Sequence, residues 1–165
     1  MMRGLFPRRL LARLRDTRGG SLVEAALITP LLLLLTFGII DFASMFYVYL
    51  ALENGISQAT RFAVTGQLLN DPSNPGTALD RTGSIELAMR NATPTLTIPD
   101  SAFSFSHLST GSTSWAAGVG GRGDIEKVTV DYTWTFLTPL IRPFFPGGQL
   151  LIEVDSSMKD EPRFN

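Results

Sequence analysis

Two carboxylates stand at the two ends of the most apolar stretch of this 165-residue chain. Glu24 precedes residues 25–40, which carry no charged side chain, and Asp41 follows them. In an α-helix these carboxylates would lie ~26 Å apart, close to the ~30 Å hydrocarbon core of a bilayer. A charge at the bilayer centre costs ~2.5–3.5 kcal/mol on insertion scales. We therefore expect one carboxylate near each interface, and Glu24 either marks that interface or needs a snorkelling path, a proton or a cationic partner.

The other residues that could support chemistry form no recognisable catalytic or metal-binding pattern. The chain has one histidine, His107, and no cysteine, so disulfides, thiolate metal sites and thiol redox chemistry are excluded. Residues 118–124, GVGGRGD, lack the lysine of a phosphate-binding loop. Asp124, Glu126 and Asp131 lie along an expected strand and its approach, whereas calcium ligands usually share a closed loop. These features predict a protein that is not an enzyme and has no cofactor.

The element that must position Glu24 and Asp41 is a membrane-spanning helix. Its expected span is about residues 22–46, and residues 1–19 before it hold six Arg and one Asp. Positive charge stays on the cytoplasmic side, and tyrosines such as Tyr47 and Tyr49 favour the opposite interface. The N-terminus is therefore expected inside and the C-terminal part outside. Pro30 within the span predicts a kink or a loosened turn, because proline cannot donate its backbone hydrogen bond.

Other readings of the basic and apolar N-terminal region fit less well. An ordinary signal peptide has a shorter apolar run, and here a helical pattern continues after the small residues Ala43 and Ser44. The pair Arg8 and Arg9 lacks the flanking pattern of a twin-arginine export signal. Arginines directly before a membrane span fix topology, so we do not expect nucleic-acid binding.

Beyond the membrane the helix is expected to continue as an amphipathic stem. Apolar residues recur at steps of three and four, and Glu53, Asn54, Ser57, Gln58 and Arg61 lie mostly on the opposite, polar side. The apolar stripe packs either on the protein's own exported domain or on other helices; it consists of Phe42, Met45, Tyr49, Leu52, Ile56, Ala59 and Ala63.

The remaining sequence predicts short helical and β elements. Residues 68–83 have loop composition, Ser84 is the expected cap of a short helix ending near Asn91, and residues 109–123 are an expected mobile loop. Two short strands are expected at 95–98 and 103–105. Residues 127–136 alternate strictly between apolar and polar side chains, as in a half-buried antiparallel strand.

A further strand is expected after an apolar connecting segment. Leu150, Ile152 and Val154 alternate like the preceding strand. The connection, residues 138–148, either tucks under the sheet or faces a partner. The pattern indicates an α+β fold, with a long N-terminal transmembrane and amphipathic helix packed on a small antiparallel β-sheet. The expected parts are residues 1–19, the helix 20–66 and the exported domain 67–165.

Three segments resemble the TadE-like family of tight-adherence (Flp-type) pilus systems. Residues 18–43, RGGSLVEAALITPLLLLLTFGIIDFA, are similar to its N-terminal motif of glycine, glutamate and a leucine-rich helix containing proline. Residues 51–67 resemble an alanine-rich stretch in which an Arg precedes an aromatic residue, here Arg61 and Phe62. Residues 158–164, MKDEPRF, are similar to the family's Glu-Pro-aromatic ending, although Arg163 intervenes.

The resemblance implies a minor pilin precursor, or pseudopilin, with a pilin-like shape. A prepilin peptidase would remove the leader on the cytoplasmic face between Gly19 and Gly20, which places Glu24 at position five of the mature chain; a cut after Gly20 is the alternative register. Glu24, Pro30 and Asp41 are the residues that the resemblance marks for processing and assembly. Glu24 would meet the terminal amine of a neighbouring subunit.

The same resemblance implies the location and the partners. The protein would sit in the inner membrane and help assemble, prime or cap a pilus used for surface attachment. Its partners would be the prepilin peptidase, other minor and major pilins, the inner-membrane assembly platform and the lipid bilayer. The alternatives are a TadF-type sister minor pilin, and a permanently anchored extracytoplasmic binding or sensor module; an exported enzyme lacks its catalytic constellation.

Overall fold

A computed structural model describes residues 17–160. Residues 1–16 of the expected leader and residues 161–165, which include most of the Glu-Pro-aromatic ending, lie outside the described residues. Two α-helices are described, α1 (Thr17–Thr65) and α2 (Arg81–Ala92). The strands within residues 17–160 are β1 (Phe103–Leu108), β2 (Ala116–Ala117), β3 (Ile125–Thr135) and β4 (Gln149–Lys159).

The sheet is antiparallel throughout, with spatial order β2-β1-β3-β4. β3 and β4 pair over their full length, with Val130 opposite Val154 in the buried part of the sheet. β4 is an edge strand, paired on one side only. The C-terminal half of α1 packs against strands β3 and β4 and against helix α2. The predicted α+β fold, a long helix on a small antiparallel sheet, is confirmed.

Helix α1 is continuous over 49 residues and includes Pro30. No break in helical structure accompanies the proline, where a kink or a loosened turn was predicted. Thr29 and Thr36 satisfy their hydroxyls inside the helix by donating to the carbonyls four residues earlier, at 2.7 and 2.8 Å. The helix ends at Gly66, whose φ of 61° is the left-handed conformation that commonly closes a helix. One element therefore extends from the apolar segment into the domain core.

The buried face of the α1 stem differs in phase from the predicted stripe. Leu52 and Ile56 are buried and Met45 packs against the core as expected, but Phe42 and Tyr49 are exposed. Arg61 is exposed, as expected for the polar side of the helix. With about 100° per residue and Leu52 as reference, Phe42 and Tyr49 lie about 80° and 60° away. Asp41 and Val48, which are buried instead, lie within about 40° on the other side. The predicted stripe included the aromatic residues Phe42 and Tyr49, and it therefore lies at the edge of the face of α1 that is buried.

The core forms where this stem meets β3 and β4. Val128, Val130, Trp134 and Phe136 alternate on the buried face as predicted. The ring centroids of Trp134 and Phe136 lie 4.6 Å apart, and Phe145 stacks on Phe136 at 4.2 Å. These aromatic contacts bring the β3–β4 connection into the core.

Three of the local predictions are corrected. Asp80, rather than Ser84, caps α2, since its carboxylate accepts a hydrogen bond from the Gly83 N–H at 2.8 Å. Ser84 is buried and accepts from the Leu69 N–H at 3.0 Å. Residues 95–98 form a turn and loop instead of a strand. The loop 109–123 is interrupted by β2, which pairs with β1.

Candidate membrane and assembly site

The N-terminal half of α1 is apolar, and the rest of the chain leaves most of it uncovered. Its most apolar 18-residue window has a mean hydropathy of 2.2, and none of that window is buried. Leu27 and Leu31 remain 74% and 68% exposed. A core helix of a soluble protein would be covered by its own domain, whereas a spanning helix satisfies its backbone internally and leaves its side chains to lipid. This helix therefore supports membrane anchoring.

Glu24 lies exposed on this apolar segment. Among residues 19–160, no side chain forms a hydrogen bond or ion pair with it. An unpaired carboxylate on an apolar helix is costly in a bilayer, so the residue gains nothing from its own fold.

Gly19 and Gly20 are also exposed, in the first turn of α1. A Cβ atom built at either position would meet nothing within 4 Å. Glycine weakens a helix by about 1 kcal/mol relative to alanine. Because no contact in the described chain requires glycine here, the pair is either incidental or serves an external partner.

Asp41 has a different environment, because the domain encloses it completely. Its side chain is fully buried. One carboxylate oxygen accepts hydrogen bonds from the N–H groups of Leu137 and Thr138 at 2.8 and 3.2 Å, and the Thr138 hydroxyl donates to the other. These three bonds form what we call the Asp41 clasp, which fastens the start of the β3–β4 connection to α1. The sequence placed Asp41 near an interface but gave no sign of this internal role.

The connection beyond the clasp, which we call the β3–β4 loop (residues 137–148), lies along the apolar half of α1. Ile141 is buried, and its Cδ1 atom comes within 3.6 Å of where a Cβ of Gly38 would be. Leu137 and Phe144 stay 58% and 72% exposed. An apolar groove of about 520 Å³ separates loop and helix, lined by Pro30, Leu33, Phe37, Thr138, Pro139 and Leu140. The loop thus has one side in the core and another facing outward.

A buried ionic cluster fastens the opposite end of the domain. Arg81, at the start of α2, contacts Glu126 of β3 at 2.6 Å and Asp160 at 2.9 Å. Glu126 is 1% exposed, and burial raises its pKa, although the neighbouring guanidinium opposes that rise. Arg81 also donates to the carbonyls of Ala63 and Gly120. The cluster joins the stem, α2, β3 and the beginning of the tail.

Sequence reasoning missed this cluster. Glu126 is in phase with Val128 and Val130 on the buried face of β3, which was the available signal. The strand was predicted to start at residue 127, two residues after its actual start at Ile125, so Glu126 was left outside it. The two carboxylates that pair with Arg81, those of Glu126 and Asp160, lie 45 and 79 residues after it in the chain. A local sequence pattern cannot reveal pairs with such separations.

Asp124 and His107, which were considered for metal binding or catalysis, form hydrogen bonds with the loop that follows β1. Asp124 accepts hydrogen bonds from the N–H groups of Gly121 and Thr110, which lower its pKa and close the loop. His107 places Nδ1 3.0 Å from the Gly118 carbonyl oxygen. Within residues 17–160, no group of three or more potential metal ligands occurs.

A long apolar helix whose distal half packs against a small antiparallel sheet defines an α+β protein. Residues 19–61 match the model of the family described as TadE-like protein. The resemblance found in the sequence is thereby confirmed over this segment, which contains both glycines, Glu24, Pro30, Asp41 and the stem up to Arg61. No curated protein and no solved structure matches the chain.

Proposed function

We propose that this protein is a minor pilin precursor of a tight-adherence (Tad/Flp) pilus. A prepilin peptidase removes its leader, and the mature protein takes part in assembling, priming or capping the filament for surface attachment. The observation that carries the proposal is the unpaired Glu24 on the uncovered apolar helix, inside the segment that matches the TadE-like family.

The glycine pair supports the processing step. A peptidase must bind the scissile backbone in an accessible form, and two adjacent glycines loosen the first turn of α1 without disturbing any contact. A cut between Gly19 and Gly20 removes the basic leader and creates an amine at residue 20. Glu24 then stands one helical turn inside the mature chain.

Glu24 supports the assembly step. In the mature protein its carboxylate and the new amine of a neighbouring subunit would carry opposite charges inside an apolar environment. Each would otherwise be an isolated charge with a large desolvation cost, so pairing relieves both. The exposed apolar side chains around Glu24 supply the surface for helix-to-helix contact with other pilins.

The folded domain favours a minor role. Its sheet, α2 and the α1 stem form a core of their own, which would crowd a fibre built mainly of packed helices. Other minor and major pilins and the inner-membrane assembly platform are therefore the proposed partners. In the proposed orientation the N-terminus is cytoplasmic, because the basic residues precede the span.

Intact mass of the full chain, extracted from membranes with and without an active prepilin peptidase, tests the proposal. We expect the loss of residues 1–19 when the peptidase is present. Gly19→Ala should reduce the cleaved fraction strongly, because a side chain obstructs the backbone at the cut. Gly38→Ala is the matched control, a glycine of the same helix with only an ordinary contact nearby, and it should be cleaved normally.

The same experiment separates the alternatives. Retention of residues 1–19 beside complete cleavage of another pilin in the same cells would overturn the proposal in favour of a permanently anchored module. A mature chain beginning at residue 21 would keep the proposal and shift Glu24 to position four. Crosslinking to the other minor pilins then distinguishes a TadE-type protein from a TadF-type sister.

A further inference from the structure

We infer that the β3–β4 loop is a second membrane contact, inserted into the lipid leaflet on the side of the domain. Leu140 and Phe144 would lie among acyl chains, and Arg142 would lie at the level of the headgroup phosphates. The inference requires that α1 spans the bilayer, but it does not depend on leader cleavage or on assembly with other pilins.

The position of the loop along α1 carries the argument. Its groove reaches Leu33, eight residues before Asp41 and therefore ~12 Å further into the apolar run along the helix axis. Ile141 packs beside Gly38, in the same run. A bilayer that covers residues 25–40 must also cover the chain that lies against them. A single copy of the protein meets this condition without any partner.

The outward side chains suit that position. Leu137, Leu140 and Phe144 are 58%, 45% and 72% exposed and lie close together in sequence on one loop. The other exposed large apolar residues of the described domain, Leu68, Trp115 and Leu151, are separate from this loop in the sequence. Exposed apolar side chains beside a spanning helix are stabilised when acyl chains replace water.

Irregular backbone enters a bilayer only where its polar groups are satisfied, and most N–H groups of this loop have a partner. The Asp41 clasp takes the N–H groups of Leu137 and Thr138. Prolines at 139, 143 and 146 have no N–H to satisfy. Further N–H groups bond to carbonyls within the loop; they belong to Ile141, Phe144, Phe145 and Gly148.

The charge of the loop fits a headgroup boundary. Arg142 is the one charged residue in residues 137–148. Its Nε donates to the Phe136 carbonyl at 2.8 Å, which holds the side chain at the base of the loop while leaving it exposed. A guanidinium so placed offers its remaining N–H groups to phosphate oxygens.

The absence of cysteine from the chain permits a direct test. Single cysteines replace Leu140, Phe144 or, as control, Ser112, which is exposed in the loop after β1. Each full-length variant carries an environment-sensitive fluorophore and is reconstituted into vesicles of phosphatidylethanolamine and phosphatidylglycerol. Quenching is measured with nitroxide groups on the lipid acyl chains, and with iodide on both sides of the membrane.

We expect the acyl-chain nitroxide to quench the labels at 140 and 144 strongly and the label at 112 weakly, with the reverse order for iodide. Iodide quenching at 140 and 144 equal to that at 112 would place the loop in water and overturn the inference. Shielding from both quenchers that disappears as protein is diluted in lipid would also overturn it, because a second copy would then be the cover.

Discussion

At the scale of single residues, Glu126 and Asp160 share one guanidinium. Both carboxylates are buried, and each has one oxygen without a hydrogen-bond partner among the described residues. Pairing with Arg81 compensates one negative charge and leaves the other in a poorly solvated place. The cluster therefore links four parts of the domain at an electrostatic cost.

That cost gives the stability a definite pH dependence. Burial raises the pKa of Glu126 in the folded protein, with the Arg81 and His107 charges acting against the rise and Asp160 adding to it. A carboxyl whose pKa is higher folded than unfolded binds its proton more tightly in the folded state. The contribution of Glu126 to folding stability is therefore least favourable at pH values above its pKa in the folded protein. It becomes more favourable as the pH falls from there towards ~4.3, the usual pKa of glutamate.

Glu126→Gln should remove this dependence, because the amide keeps an oxygen for Arg81 and carries no charge. We expect the variant to be at least as stable as wild type at neutral pH. The difference should shrink as pH approaches the usual glutamate range. Urea unfolding of the full chain in detergent, followed by the fluorescence of the buried Trp134, measures both effects across this range.

Glu153→Gln is the matched control, since Glu153 is exposed on β4. It should change stability little at any pH. Marked destabilisation by Glu126→Gln at neutral pH would show that the charge of Glu126 is favourable where it stands, contrary to this account.

At the scale of elements, α1 packs against α2 at Gly55 without room for a side chain there. A Cβ atom there would lie 2.4 Å from Cγ2 of Thr93 and 3.5 Å from Cγ of Met89. Thr93 is buried and donates its hydroxyl to the Met89 carbonyl at 2.9 Å, so it has little room to turn aside. The missing side chain of Gly55 is what lets the two helices pack.

Gly55→Ala should therefore destabilise the domain. Alanine favours a helix over glycine by about 1 kcal/mol, but overpacking a tight contact typically costs about 1–3 kcal/mol. We expect a net loss, seen as a lower urea midpoint in the same unfolding measurement. Asn54→Ala, at the exposed neighbouring position, receives the same side chain without the clash and should keep the wild-type midpoint or exceed it slightly.

The elements also show where sequence reasoning succeeds. The alternation in β3 is uninterrupted, so the strand and its buried face could be predicted from residue types alone. Residues 95–98 carry similar residue types between Pro94 and Pro99, yet Ile98 reaches the core from a loop, and its carbonyl accepts from Arg90 Nε at 3.1 Å. The apolar side chain of Ile98 correctly indicates burial. A strand, however, also needs a neighbouring strand to pair with its backbone.

The candidate site divides in the same way. Glu24 could be singled out because it stands against an apolar run, and Gly19 and Gly20 were singled out by the family resemblance; the roles of all three stay predictions. The role of Asp41 could not be predicted, because its hydrogen-bond donors, Leu137 and Thr138, follow it by 96 and 97 positions in the chain. A carboxylate beside a membrane segment reads locally as an interface marker, and only the tertiary fold shows that it holds a loop.

At the scale of the whole molecule, the proposed function predicts that Glu24 has opposite effects on membrane insertion and on assembly. Glu24→Ala should leave membrane insertion intact or improve it slightly, because it removes a charge from the apolar segment. It should abolish incorporation into pilin complexes, since a neighbour's terminal amine would lose its counter-ion at about 3–5 kcal/mol. Membrane fractionation measures the first effect, and crosslinking to other minor pilins measures the second.

Glu24→Asp is the control that separates charge from reach. It keeps the carboxylate but shortens the side chain, so we expect it to insert normally and to assemble poorly. Normal yields of complexes from Glu24→Ala would remove the assigned role of Glu24 in assembly. Wild-type yields from Glu24→Asp would mean that charge alone suffices.

The unbroken course of α1 also governs how the domain moves. Its 49 residues span ~73 Å, of which a bilayer core takes ~30 Å, and the distal part contributes Leu52 and Ile56 to the domain core. With no linker between anchor and domain, tilting the helix tilts the sheet by the same angle. Rotating the helix about its own axis moves the unpaired edge of β4 around the membrane normal. The rotation angle of α1 therefore determines which neighbouring molecule that edge can face.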